Sequence, residues 1–133
     1  MTNPIDSLPN SVSSSRNTID QNFSRRLAWS VETLDDVATL TADQGCTLFR
    51  LDSTTNACAV ALPAEAYLHV GWTVAFVLVE ASNGGDVTPD AAQILGLDGG
   101  LASHKALSVV GEYLELVWTG DEFMVVRYYS PTP

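Results

Sequence analysis

Residues 46–89 read CTLFRLDSTTNACAVALPAEAYLHVGWTVAFVLVEASNGGDVTP, and this stretch decides the fold class. In its first segment Thr47, Phe49 and Leu51 fall on one side of an extended chain, and Cys46, Leu48 and Arg50 fall on the other, because side chains alternate faces along a strand. The cluster Ser53–Asn56 is turn chemistry. A second strand follows over 57–63 and is ended by Pro63, which has no N–H to give to a ladder. Paired as a hairpin about Thr54, these two strands set Cys58 opposite Arg50. Residues 72–80, WTVAFVLVE, are apolar on both faces and rich in β-branched and aromatic residues, the pattern of a central strand buried on two sides. ASNGG (81–85) then turns the chain.

The same signals continue outward. DVTPD (86–90) and QILGL (93–97) read as short strands, and DGG (98–100) is a further break. LASHKALSVVG (101–111) leads into a closing hairpin in which Leu114, Leu116 and Trp118 face one way and Tyr113, Glu115 and Val117 the other. A loop around Thr119, Gly120 and Asp121 joins it to the strand from Phe123 to Tyr129. On the N-terminal side LAWSVET (27–33) alternates as a first strand. LDDVATLT (34–41) fits either a helical turn or an irregular strand, and AEAYLHVG (64–71) is a connector with room for one helical turn. Turn signals roughly every 8–12 residues predict an all-β fold, an antiparallel β-sandwich or barrel-like domain over residues 27–133. No repeat stands out at solenoid spacing.

Residues 1–26 are different. They hold two prolines, six serines and isolated apolar residues at Ile5, Leu8, Val12, Ile19 and Phe23, with neither a helical nor a strand period, so they read as an extended arm. Charge divides the chain in the same place. The arm carries Arg16, Arg25 and Arg26 against Asp6 and Asp20, a net +1, whereas residues 27–133 are net −11 within a total of −10. So acidic a body excludes a nucleic-acid binder, which needs clustered cations, and excludes docking on an anionic membrane. No apolar run approaches a membrane span, no secretory signal is visible, and a hydrophobic content of 46% suits one globular domain. Cys46 and Cys58, in the hairpin pairing above, lie on the order of 13 Å apart. A disulfide tolerates roughly 7 Å between Cα atoms, so two reduced cysteines are expected.

The residues that could carry chemistry are scattered. His69 and His104 have no metal-ligand spacing, and no Gly-x-Ser-x-Gly elbow exists. Asp35, Asp36, Asp86, Asp90 and Asp98 sit near turns without the calcium-loop spacing, where aspartate is also an ordinary turn former. Glu65, Glu80, Glu112, Glu115 and Glu122 fall at strand ends or on polar faces and read as solvated charge. No catalytic residue, metal or cofactor is therefore expected. Trp72, Phe76 and Trp118 read as core. Tyr128 and Tyr129 suit an oligomer interface, since tyrosine offers area with a wet tip. Phe23, alone in a polar leader, suits an anchor.

The order of features from residue 41 to 127 resembles β-domains of tailed-bacteriophage virion proteins, which occur in head decoration (cement) proteins, head fibres and tail-fibre modules. The shared pattern runs T-A-D-x-G-x-T-L-x-x-L-D (41–52), V-A-L-P-A (60–64), G-W-T-V (71–74), D-V-T-P (86–89), I-L-G-L (94–97) and the closing G-E-Y-L-E-L-V-W-T-G-D-E-F-M-V-V (111–126). The resemblance implies a homotrimer attached to a larger particle by its N-terminal part, with no catalytic residues to carry over. The short length favours a decoration protein over a full tail fibre. The implied function is binding and stabilising the outer capsid surface. Its partners would be further copies of itself and the major capsid protein, with no nucleic acid and no membrane. It would be made in the host cytoplasm and reside on the virion. Ile5, Leu8, Arg16, Phe23, Arg25 and Arg26 would form the capsid-binding arm. The alternative is a receptor- or glycan-binding module of a fibre or tail, with Tyr128, Tyr129 and the loop near Asp98 as candidates.

Overall fold

A computed structural model describes residues 29–131 of the 133-residue protein. The arm residues named above lie outside the described residues. The body is all-β, with eleven strands in two sheets. They are β1 (Ser30–Leu34), β2 (Ala38–Thr39), β3 (Thr47–Asp52), β4 (Cys58–Ala61), β5 (Thr73–Glu80), β6 (Gly85–Thr88), β7 (Ile94–Leu95), β8 (Leu101–Ala102), β9 (Lys105–Leu107), β10 (Tyr113–Trp118) and β11 (Phe123–Tyr129). The larger sheet has the order β1-β3-β5-β10-β11-β7-β8, and the smaller has β2-β4-β6-β9.

From β1 to β6 the chain alternates between the two sheets at every strand. Strands two apart in sequence therefore become neighbours, and they run parallel: β3 with β5, β2 with β4, and β4 with β6. Leu48 pairs with Ala75 and Cys58 with Gly85, a displacement of 27 residues in both sheets. The parallel part gives way to antiparallel pairing where β9 joins β6 and β10 joins both β5 and β11. Two expectations are corrected here. The sheets are mixed rather than antiparallel. The segments around Arg50 and Cys58 are not a hairpin either, since β3 and β4 belong to different sheets and Cys58 pairs with Gly85. The reason lies in the corner after β3, where Ser53 steers the chain across instead of back. Its hydroxyl donates to the Glu80 carbonyl at 2.6 Å and accepts from the Asn83 and Gly84 N–H groups, while Asn83 Nδ2 donates to the Ser53 carbonyl at 2.8 Å. Both cysteines are free, Cys46 exposed and Cys58 buried.

One apolar cluster draws on both sheets. Phe49, Leu51, Val74, Phe76, Leu78, Leu114, Leu116 and Phe123 come from the larger sheet, and Cys58, Val60, Val87 and Leu107 from the smaller. Phe49 and Phe76 are register partners and their rings stack at 5.7 Å, as aligned aromatics on parallel strands favour. The alternation read in the closing hairpin holds: Leu114, Leu116 and Trp118 are buried, and Tyr113, Glu115 and Val117 are half-buried on the other side. In β5 Val74, Phe76 and Leu78 are buried. On its other face Ala75 is buried too, whereas Thr73, Val77 and Val79 are half-buried, so this strand is central and its second face is covered in part.

The turns of the sequence pattern act as the frame of the fold. The segment Ala42–Gln44 forms a 3₁₀ turn, and Thr41 N donates to Gln44 Oε1 at 2.8 Å. Trp72, 28 positions beyond Gln44, donates its indole N–H to the Ala42 carbonyl at 2.8 Å, which ties the turn to the start of β5. A Cβ on Gly45 would lie 2.7 Å from Trp72 Nε1, so glycine is what lets the indole approach. The connector after β4 contains the predicted single helical turn, at Glu65–Tyr67. Glu65 Oε1 accepts from the N–H groups of Ala91 and Ala92, fastening this turn to the segment before β7.

Candidate functional site

Two of the residues singled out from sequence, Asp98 and Tyr128, come together at one place. β7 and β8 form a small hairpin whose tip is closed by Gly96 N donating to the Gly100 carbonyl at 2.8 Å and by Asp98 Oδ1 accepting from Gly100 N at 2.9 Å. β7 lies parallel to the first residues of β11, with Phe123 beside Ile94. Between this hairpin, β9 and the closing hairpin is a cleft of about 430 Å³. Its floor includes Ile94, Leu114 and Val125, all buried, and its lips include Leu97 and Leu101, both exposed. Asp98, His104, Lys105 and Tyr128 supply its polar groups. Asp98 and Tyr128, chosen from distant stretches, thus share one lining, whereas Tyr129 is exposed and lies outside it.

Tyr128 is fixed from behind. Its hydroxyl donates to Glu112 Oε2, and Lys105 Nζ sits 4.2 Å from its ring centroid, a cation–π distance. Glu112 is 4% exposed, so it is not the solvated charge the sequence suggested. It occupies the corner before β10, where its Oε1 accepts from the N–H groups of Ser108 at 2.7 Å and Val109 at 3.1 Å. Burial pushes its pKa up, but hydrogen bonds from Tyr128, Ser108 and Val109, with the nearby Lys105 charge, outweigh burial and hold the carboxyl below its ordinary range. The phenol of Tyr128 is raised by donating to Glu112 and by burial. His104 Nδ1 lies 2.8 Å from Asp86 Oδ1 at the edge of the cleft. Among the described residues no hydroxyl or thiol is hydrogen-bonded to this imidazole as an activated nucleophile would be.

A second cleft, of about 620 Å³, opens where β2, β4 and β6 end. Thr39, Thr41, Pro63, Thr88, Pro89 and Asp90 contribute to it, with Tyr67, which is 76% exposed. His69 lines neither cleft, and among the described residues no group of three or more His, Cys, Asp or Glu could hold a metal ion. No helix among the described residues is long and apolar enough to cross a membrane.

Sequence reasoning missed Glu112, the Asp86–His104 contact and the Ser53 corner. Each depends on partners brought in by the folded chain, and no local spacing announces them. A glutamate directly after a turn glycine, Gly111–Glu112, was the one available signal. No protein-family model matches the chain, and no curated protein matches it.

Proposed function

We propose that the chain is a structural protein of a tailed-phage virion that binds the outer capsid surface and stabilises it. In this reading it is a trimeric, sandwich-like β body carried on an arm formed by residues 1–26. The observation that supports it most is where the pattern residues of the resemblance fall. They are framework residues: Ala42 and Gly45 receive Trp72, Pro63 follows β4, and the G-E-Y segment sets the Glu112 corner. In this reading, what the chain would share with that group is a way of building a stiff body. A body that bridges capsomers needs stiffness, and an arm that orders on docking can spread its contacts over much surface. Three copies would make that anchoring multivalent. Deleting residues 1–24 is expected to abolish binding to capsids purified without this protein while leaving the body folded. Undiminished binding by the truncated chain would overturn the arm's role.

The sharing of one cleft by Asp98 and Tyr128 supports a second reading, a receptor- or glycan-binding module. An apolar floor with carboxylate, imidazole, ammonium and phenol groups around it is a lining that sugar rings suit. A saturable hit on a glycan array, lost in Asp98→Ala, would favour it over cementing.

A further inference from the structure

We infer that the outer face of the seven-stranded sheet is an interface between copies of this chain, packed against the same face of its neighbours about a rotation axis. The inference deepens the trimeric part of the reading above and rests on it.

The starting point is β5. Its sequence is that of a strand buried on two sides, yet on its second face only Ala75 is fully covered, while Thr73, Val77 and Val79 are half-buried. The ladder registers show what lies on that face. One row across the sheet runs Leu48, Ala75, Glu115, Arg127, a second runs Arg50, Val77, Tyr113, Tyr129, and a third runs Thr73, Val117, Met124. The β-bulge between Glu115 and Leu116 places Val126 beside Arg127, where it is exposed. Around the buried Ala75 the middle of this face is therefore aliphatic, with Val77 and Val117 half-buried and Met124 and Val126 exposed. A polar-out alternation is what a sheet facing water shows.

Charge indicates which partner fits. Arg50 and Arg127 are two of the three cations in a body of net charge −11, and both lie in these rows. Among the described residues the single ion pair is His104–Asp86, so neither guanidinium has a carboxylate within 4.0 Å. Among the described residues Arg50 donates to Thr33 Oγ1, at 3.3 Å. Glu115, the acid in the same row as Arg127, accepts from Tyr113 Oη at 2.8 Å. A patch with an aliphatic centre, a carboxylate and arginines that have no carboxylate partner among the described residues offers each neighbour both halves of an ion pair. About a three-fold axis Arg127 of one copy would meet a neighbour's Glu115, and the three aliphatic centres would close on one another.

Light scattering on a sizing column tests this with the full chain. The wild type is expected near the mass of three chains, about three times 14.2 kDa. Val77→Lys and Val117→Lys, each checked for native circular dichroism and melting, are expected as folded monomers, with association weakened roughly tenfold or more. Ala59→Lys, on the outer face of the smaller sheet, is expected to keep the wild-type mass. Arg127→Glu is expected to weaken association, and Glu115→Arg added to it is expected to restore it. A monomeric wild type would overturn both the interface and the trimer. An oligomeric wild type whose mass survives both lysine variants would overturn the interface alone. Capsid binding by the wild type is a separate readout and stands or falls independently.

Discussion

Replacing Gly45 with alanine perturbs the frame of the fold at a point where two opposing effects can be weighed. Gly45 has φ −64 and ψ 161, a conformation alanine adopts freely, so loss of glycine's freedom in the unfolded chain alone would stabilise by about 0.4–1 kcal/mol. Against this, the new methyl would lie 2.7 Å from Trp72 Nε1 and 2.9 Å from its Cδ1, so the indole must shift. Overpacking of that kind costs about 1–3 kcal/mol. A shifted indole also loses its hydrogen bond to the Ala42 carbonyl, worth about 0.5–1.5 kcal/mol. The net is a destabilisation of about 0.5–4 kcal/mol. In urea denaturation the midpoint should fall with an unchanged slope, and the melting temperature should drop by about 4–8 °C for each kcal/mol lost. In a Trp72→Ala background, where the close atoms and the donor are gone, the same Gly45→Ala change should instead stabilise by about 0.4–1 kcal/mol. A midpoint unchanged or raised by Gly45→Ala in the wild-type chain would refute the reasoning, and so would an equal penalty in both backgrounds.

Three further outcomes follow from the same geometry. Ser53→Ala leaves the Asn83 and Gly84 N–H groups without their hydroxyl acceptor and should cost about 1–3 kcal/mol by denaturant titration, while Ser53→Thr, which keeps the hydroxyl, should cost less. Glu112 has a folded pKa below its ordinary value of 4.5, so its contribution to stability is complete above pH 4.5 and is lost as pH falls through the lower folded value. Glu112→Gln should therefore flatten the acid limb of a stability-versus-pH curve, and an unchanged limb would contradict the assignment. A thiol reagent should modify Cys46 readily in the native protein and Cys58 only after unfolding. Cys46 is exposed, whereas Cys58 is buried, donates to the Leu34 carbonyl and has its thiol pKa pushed up first by burial and then by nearby aspartates.

Much of the fold was legible wherever a short-range rule governs it. Period-two alternation assigned the inward sets of β3 and β10 correctly, and the Gly-containing loop announced the closing hairpin, because both follow from side-chain geometry along a single strand. Which strands pair was not legible in the first half. Ser53–Asn56 has the composition of a hairpin turn, and only the contacts of Ser53 with residues 80–84 show that the chain crosses to the other sheet there. The 27-residue displacement also left no sequence repeat, since what recurs is burial: Phe49 meets Phe76, but Arg50 meets Val77. The cleft was half legible. Asp98 was found as a turn former and Tyr128 as an aromatic tip. Glu112 looked like any strand-end acid, because its value comes from two backbone donors and a phenol.

The central claim, that this protein binds and stabilises a capsid surface, is tested most directly by mixing the purified full chain with capsids that lack it and sedimenting the particles. Saturable co-sedimentation at a fixed number of copies per particle, together with a higher temperature of particle disruption, is the result predicted. A chain that stays in the supernatant at saturating concentration, or that binds without raising that temperature, would contradict it.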